Sequence, residues 1–478
     1  MLKLLNNNKI IIKQILFIGV VFSMIILSVI IILTEFRFPF HGSDSGFYLS
    51  IIREMNLGSK YFTEIASPYS PLAITILGIP SFLFGIEGKL VAFSINIIFM
   101  MASSVLIYRV LMLLNNKHLY SIVFSVLFFL LSLNYDGHYI VLEPITVFFQ
   151  LFSFYFFIKY TIDYNNLKFL FYSGILLGFG FLSKQYAIFL LFPFYYYLFI
   201  IESEKKIKKI VLFTLAFFLP TILLYLLFYT EINFINYLYY LSGTNMDVDI
   251  QVSSATGSNY KPFMVSTSKL IKLISTNFYV FLIPLYLVSI KKIDVKKIVF
   301  YFLVMFSSIS VLFFADYDHY FHFIFSFVII FVGFIKMNSQ YKNSFIYIIP
   351  ICISIFFLAK KTRNNFPDIM KKNNAHQNIL GRKVKELVPE ESQVFLDGFS
   401  PKYYYINNWR SINLKKVGFL FSDYLNPNTI ITAMKKNSYL ILSDKRKEKY
   451  KEFYKFFDTI GKINYNKEKY LVLKKVYE

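Results

Sequence analysis

Cysteine is almost absent from this 478-residue chain: its single instance, Cys352, lies inside an apolar run. An intrachain disulfide is excluded, so an extracytoplasmic domain must fold without covalent staples. Charge is scarce as well. Only 16% of the residues are Asp, Glu, Lys or Arg, 56% are hydrophobic, and the mean hydropathy is +0.53. A soluble chain of this length would divide into about three domains of ordinary composition. The shortage of acids leaves a net charge of +22. Outside the tail, however, Lys and Arg punctuate the apolar runs, a pattern that encodes topology and argues against nucleic acid as a partner. No small-residue cleavage site follows the first apolar run, Gln14–Leu33, which predicts a retained span.

What the chain does have is a series of apolar runs of about 16 to 23 residues, which a soluble core does not need and a bilayer does. The expected class is a mainly α, polytopic membrane protein. With Lys3, Lys9 and Lys13 inside, the first span exits near Glu35. The next run, Pro71–Phe84, is short for a span and reads as a helix lying at the interface. If it does not cross, ten spans follow: Leu90–Leu114, Tyr120–Leu133, Ile145–Ile158, Phe169–Leu182, Ala187–Ile201, Ile210–Tyr229, Phe278–Ile290, Ile298–Phe314, Tyr320–Ile335 and Phe345–Leu358. Every inside turn then carries Lys or Arg, and the richest clusters, at 205–209 and 291–297, both fall inside. Letting Pro71–Phe84 cross would turn those clusters outward. The bias therefore predicts eleven spans in the plasma membrane, a cytoplasmic N-terminus and an extracytoplasmic tail. Lys360, Lys361 and Arg363, at the outer end of the last span, run against it.

This threading divides the chain into a membrane domain, 1–372, whose first outer loop is 34–89, and a soluble α/β domain, 373–478. In the tail, Ala375–Leu387 and Asp444–Phe457 read as helices, Gln393–Asp397 and Ser438–Leu442 as strands. Thr459–Tyr465 and Tyr470–Val476 read as a closing hairpin. The tail has neither a nucleotide loop nor metal-ligand spacing, and an accessory or acceptor-docking role fits it best.

Two carboxylates fall in the first two outer loops: Asp44, just past the first span, and Glu143, followed by Pro144 at the start of an apolar run. A charge at the membrane surface is costly enough that chains seldom keep one without use. Lys184 lies on the same face, between two apolar spans, with no acid beside it in the sequence. Asp316, Asp318, His319 and His322 are there too.

Four segments resemble a known family. The first outer loop, with Ser43, Asp44 and Tyr48, then Arg53, then Ser67, Pro68, Pro71 and Leu72, is similar to that of the GT-C glycosyltransferases. The likeness is greatest to family 39, the protein O-mannosyltransferases and the lipid A aminoarabinose transferases. Val141 to Pro144 resembles the family's second acidic motif, Gly174 to Lys184 its Gly-rich helix ending in Lys, and His319 to His322 its late outer loop. The resemblance implies transfer of a sugar from a polyprenyl-phosphate carrier to an acceptor on the outer face. Where the family often has Asp-Glu, this chain has Asp44 and Ser45. Where the aminoarabinose enzymes carry a lysine before the second-loop prolines, it has Tyr69 and Ser70.

Such transfer needs a base for the acceptor hydroxyl and positive charge for the departing phosphate. Asp44 is the expected base, acting with inversion. Glu143 would orient the acceptor, tune Asp44, or share a divalent cation with it, since hard cations choose carboxylates. As an alternative, Glu143 serves only the positive end of the following helix. Lys184 would hold the carrier phosphate as a point charge, or else snorkel to the headgroups. His319 and His322, three residues apart, suit phosphate or metal contact or an interfacial polar cap. Tyr48 and Tyr69 are candidate sugar-stacking rings, and His138 a loop histidine near the acids. The divalent cation is the only cofactor these residues suggest; the acceptor, whether glycan, lipid or protein, is not encoded in a readable pocket. Two rivals stand beside this reading. A transporter or flippase of lipid-linked glycans would require polar residues at mid-span and an internal repeat. An inactive assembly subunit of the same fold would accord with Ser45.

Overall fold

A computed structural model describes residues 43–62, 65, 70–85, 89–115, 118–133, 140–163, 166–202, 204–242, 295–313, 320–337, 383–397, 409–411, 431–432, 434–465 and 468–477, with scattered positions between 18 and 29. The expected spans Phe278–Ile290 and Phe345–Leu358, and most of the expected helix Ala375–Leu387, lie outside the described residues. The chain forms two compact units. One comprises Met1–Thr34, Phe93–Leu224 and Lys261–Asn365; the other comprises Glu35–Ala92, Tyr225–Tyr260 and Phe366–Glu478.

The helices are α1 (Ser43–Asn56), α2 (Pro71–Phe84), α3 (Lys89–Asn115), α4 (His118–Ser132), α5 (Glu143–Ile162), α6 (Leu167–Ser183), α7 (Leu191–Tyr196), α8 (Lys206–Phe228), α9 (Phe234–Ser242), α10 (Val295–Ile309) and α11 (Phe321–Met337). Three of them contain stretches long and apolar enough to cross a membrane: Val91–Leu114, Glu143–Ile162 and Lys206–Phe228. Shorter apolar helices cover Pro71–Phe84, Tyr120–Ser132, Leu167–Ser183, Gln185–Ile201 and Phe321–Phe331. The expected run Ala187–Ile201 is not one regular helix. It is a 3-10 turn, Gln185–Leu190, then α7, then a π turn, Tyr197–Ile201.

In the first unit α5 and α6 lie side by side, and α10 and α11 pack on each other and around them. The α6–α8 crossing is close because α6 presents Gly174 and Gly178 to it. A Cβ on Gly174 would lie 2.7 Å from the Phe213 carbonyl oxygen and 2.7 Å from Ala216 Cβ. On Gly178 it would run into the Phe217 carbonyl and Pro220. Small residues spaced four apart let helices approach to this degree in a membrane, where burial of apolar surface gives no drive. The α8 helix shows the resulting two faces. Phe213, Ala216, Phe217 and Pro220 are buried, while Val211, Leu215, Phe218, Ile222 and Leu226 are exposed. An apolar outer stripe of this length has lipid as its solvent. Aromatic rings fill the interior between helices: Phe157 stacks on Phe194 at 4.1 Å between centroids, and Phe154 on Phe300 at 6.3 Å.

In the second unit α1 packs on α2, and Asn56 of α1 is hydrogen-bonded to Ser81 of α2. Pro71 opens α2 at its first helical position, where a missing N–H costs nothing. Gly85 closes it in the left-handed region, φ 64°, its N–H returning to the Ser81 carbonyl. The tail holds a five-stranded sheet of order β2-β1-β3-β5-β4. Its strands are β1 (Gln393–Asp397), β2 (Arg410–Ser411), β3 (Tyr439–Ser443), β4 (Phe457–Tyr465) and β5 (Glu468–Lys475). β1 pairs in parallel with β2 and β3, and β5 runs antiparallel to β3 and β4, which gives the expected closing hairpin. Arg53 of α1 donates to the Trp409 carbonyl oxygen at 3.2 Å, tying the first loop to the tail.

Candidate active site

Glu143 is the first residue of α5 and Pro144 follows it, so the helix begins with an anion at its positive end and a proline that forfeits only an orphan N–H. The helix-terminus reading therefore holds, but it is only half of what Glu143 does. The α6 helix ends at Ser183, and Lys184 is extended, with φ −158° and ψ 131°. Its N–H still reaches the Gly180 carbonyl at 3.0 Å, and its own carbonyl accepts from Ala187 at 3.1 Å. The lysine is thus the joint between α6 and the 3-10 turn. From that joint its Nζ donates to Glu143 Oε1. The lysine side chain is 2% exposed and that of the glutamate 0%. The acid missing beside Lys184 in the sequence is Glu143, brought to it by the pairing of α5 with α6.

A buried ammonium and carboxylate together avoid the several kcal/mol that each alone would cost, about 3–5 kcal/mol for a pair broken by loss of one member. Aromatic faces flank the ammonium. Lys184 Nζ lies 4.4 Å from the ring centroid of Tyr320 and 5.9 Å from that of Tyr186. The two rings meet edge to face, 5.4 Å apart at 89°. Gln150 is seven residues along α5 from Glu143 and hence on the same helix face. Its Oε1 is buried, with no hydrogen-bond partner among the described residues. Tyr186, Tyr320 and Gln150 escaped the sequence reading. Tyr320 lies inside the quoted late-loop motif, but with 38 tyrosines in the chain a single ring carries little signal.

A second buried ionic group stands at the other end of α5. Tyr160 donates to Glu202 Oε2 at 2.6 Å, and Lys209 Nζ lies 3.1 Å from the same oxygen. From Glu143 to Tyr160 is 160 − 143 = 17 residues, about 26 Å along a helix and close to the thickness of a hydrocarbon core.

The remaining candidates divide. His322 is wholly buried in the first turn of α11, two residues beyond Tyr320. Asp44 falls in the first turn of α1, and the ring of Tyr48, one turn later, is buried against Phe47. The side chain of Asp44, and residues Tyr69, His138 and His319, lie outside what the structure describes. Among the described residues no group of three or more His, Cys, Asp or Glu gathers. Glu143, with one oxygen on an ammonium, suits a dication poorly, because Lys184 would repel it at contact distance.

The fold is similar to that of two solved structures, and three of the described helices are long and apolar enough to cross a membrane. A family model described as dolichyl-phosphate-mannose-protein mannosyltransferase matches residues 68–229, which include both Glu143 and Lys184. Among solved structures, ArnT from Cupriavidus metallidurans bound to undecaprenyl phosphate is similar at a TM-score of 0.58 and 11% identity, over 96% of this chain and 97% of that one. The oligosaccharyltransferase of Archaeoglobus fulgidus tethered to an acceptor peptide is similar at 0.55 and 10%, over 90% of this chain and 69% of that one. No curated protein sequence matches.

Proposed function

We propose that the chain is an integral-membrane glycosyltransferase that moves a sugar from a polyprenyl-phosphate carrier to an acceptor hydroxyl on the outer face, with inversion. The observation that carries this reading is the buried Glu143–Lys184 pair where α5 and α6 meet, inside the segment matched by the mannosyltransferase family model. A lipid-phosphate donor is supported by ArnT, whose structure holds undecaprenyl phosphate. In the proposed step the carboxylate of Asp44 takes the proton of the acceptor hydroxyl. The hydroxyl oxygen attacks the anomeric carbon, and the bond from that carbon to the phosphate oxygen breaks with its electron pair on the phosphate. Lys184 offsets the charge that grows on the departing phosphate. Glu143 positions Lys184 and stabilises an oxocarbenium-like sugar. His322, and His319 beside it in sequence, would assist at the phosphate. Among the described spans charged side chains lie toward helix ends.

The test is to incubate the purified full-length protein with a panel of polyprenyl-phosphate sugars and measure released polyprenyl phosphate. At least one donor should be consumed, and Asp44→Asn should slow its consumption by a factor of about 100 or more, the usual range for loss of a general base. Asp44→Asn with undiminished transfer would remove Asp44 from the mechanism, and no release from any donor would remove the activity.

A further inference from the structure

We infer that Tyr320 is a positioning residue for Lys184, holding its ammonium while the anion beside it changes. This rests on the reading above that Lys184 receives the donor phosphate. In the structure the ammonium is already taken by Glu143. A phosphate that arrives must displace that carboxylate or share the lysine with it. A lysine tethered only by the carboxylate would, at that moment, be a charge on a flexible four-carbon stem. The ring of Tyr320 is a partner that carries no charge and need not be exchanged. Its centroid is 4.4 Å from Nζ, inside the range of a cation–π contact, and the attraction grows where water is excluded. Tyr320 is itself fixed: it is 3% exposed, edge to face with Tyr186 and stacked near Phe323 at 6.4 Å. Tyr186 is the weaker support, with its centroid 5.9 Å from Nζ.

The contact belongs to the ring face, so the hydroxyl of Tyr320 is dispensable and its aromaticity is not. The experiment titrates undecaprenyl phosphate onto the full-length protein in lipid nanodiscs and reads the dissociation constant. Tyr320→Phe should bind within about twofold of the parent, and Tyr320→Leu about tenfold more weakly, the range of a desolvated cation–π contact. In a Lys184→Met background Tyr320→Leu should change nothing further, which a general packing defect could not reproduce. Should Tyr320→Leu fail to fold, Tyr186→Leu serves, with an expected loss of about threefold that also vanishes in Lys184→Met. Equal losses for Phe and Leu, an undiminished affinity in Tyr320→Leu while Lys184→Met binds weakly, or the same loss with and without Lys184 would each overturn the inference. A Lys184→Met protein that binds with parental affinity would instead refute the phosphate role of Lys184, and this inference with it.

Discussion

Glu143→Gln is the most informative single change. It keeps the shape of the side chain and removes the charge that Lys184 faces. The lysine, 2% exposed, is then left as a buried ammonium against two tyrosine rings. Breaking a buried pair in this way costs about 3–5 kcal/mol. Loss of an anion from the helix N-terminus adds about 0.3–1 kcal/mol. Lys184→Met, which strands the carboxylate instead, should cost a similar amount. The pair replaced together, as Glu143→Gln with Lys184→Met, leaves no buried charge and should cost less than either single change. The assay is reversible unfolding of the detergent-solubilised full chain in SDS, followed by circular dichroism, for the parent, both single variants and the double. If the two single effects simply add, to within about 0.5 kcal/mol, the ion pair contributes nothing to stability and the description of the site is wrong.

Two further variants probe other parts of the same bundle. Gly174→Leu puts a side chain where even a Cβ would lie 2.7 Å from the α8 backbone at Phe213, so α6 and α8 must part. It should lower stability in the same unfolding assay by about 1–3 kcal/mol or more. Tyr160→Phe removes the hydrogen bond to Glu202 at the far end of α5 and should cost about 1.5–3 kcal/mol, while binding of undecaprenyl phosphate stays at the parental level. Weakened binding in that variant would link the two ends of α5 in a way this account does not contain.

Much of the helical layout was legible because its punctuation is local. A helix was expected at Pro71–Phe84 and is observed there, since Pro71 and Gly85 fix its ends within a few bonds of themselves. The closing hairpin was readable as alternation bounded by turn residues, and β1 as a short apolar run between polar residues. The region after Lys184 was not. Its apolar run reads as one span, yet it changes from 3-10 to α to π winding, which hydropathy does not register. The expected spans Ile210–Tyr229 and Phe278–Ile290 left the residues between them as a connection, and α9 occupies its start. The site was half legible. Glu143 and Lys184 stood out as charges beside apolar runs, but their pairing spans 41 residues and depends on how α5 meets α6. The aromatic contacts of Lys184 were invisible, because neither Tyr186 nor Tyr320 differs in sequence from the many tyrosines around it. The unit boundary was hidden also: Arg53 joins the first loop to the tail through a backbone carbonyl, which no residue type advertises.

The account stands on Asp44 and Glu143 working from one face of the membrane, with Pro71–Phe84 lying on the bilayer. Impermeant maleimide on intact cells tests it, using His41→Cys, His138→Cys and Lys205→Cys, each in a Cys352→Ser background. Positions 41 and 138 should both react without permeabilisation and position 205 only after it. Reaction of 41 and 138 from opposite sides would contradict a shared catalytic centre.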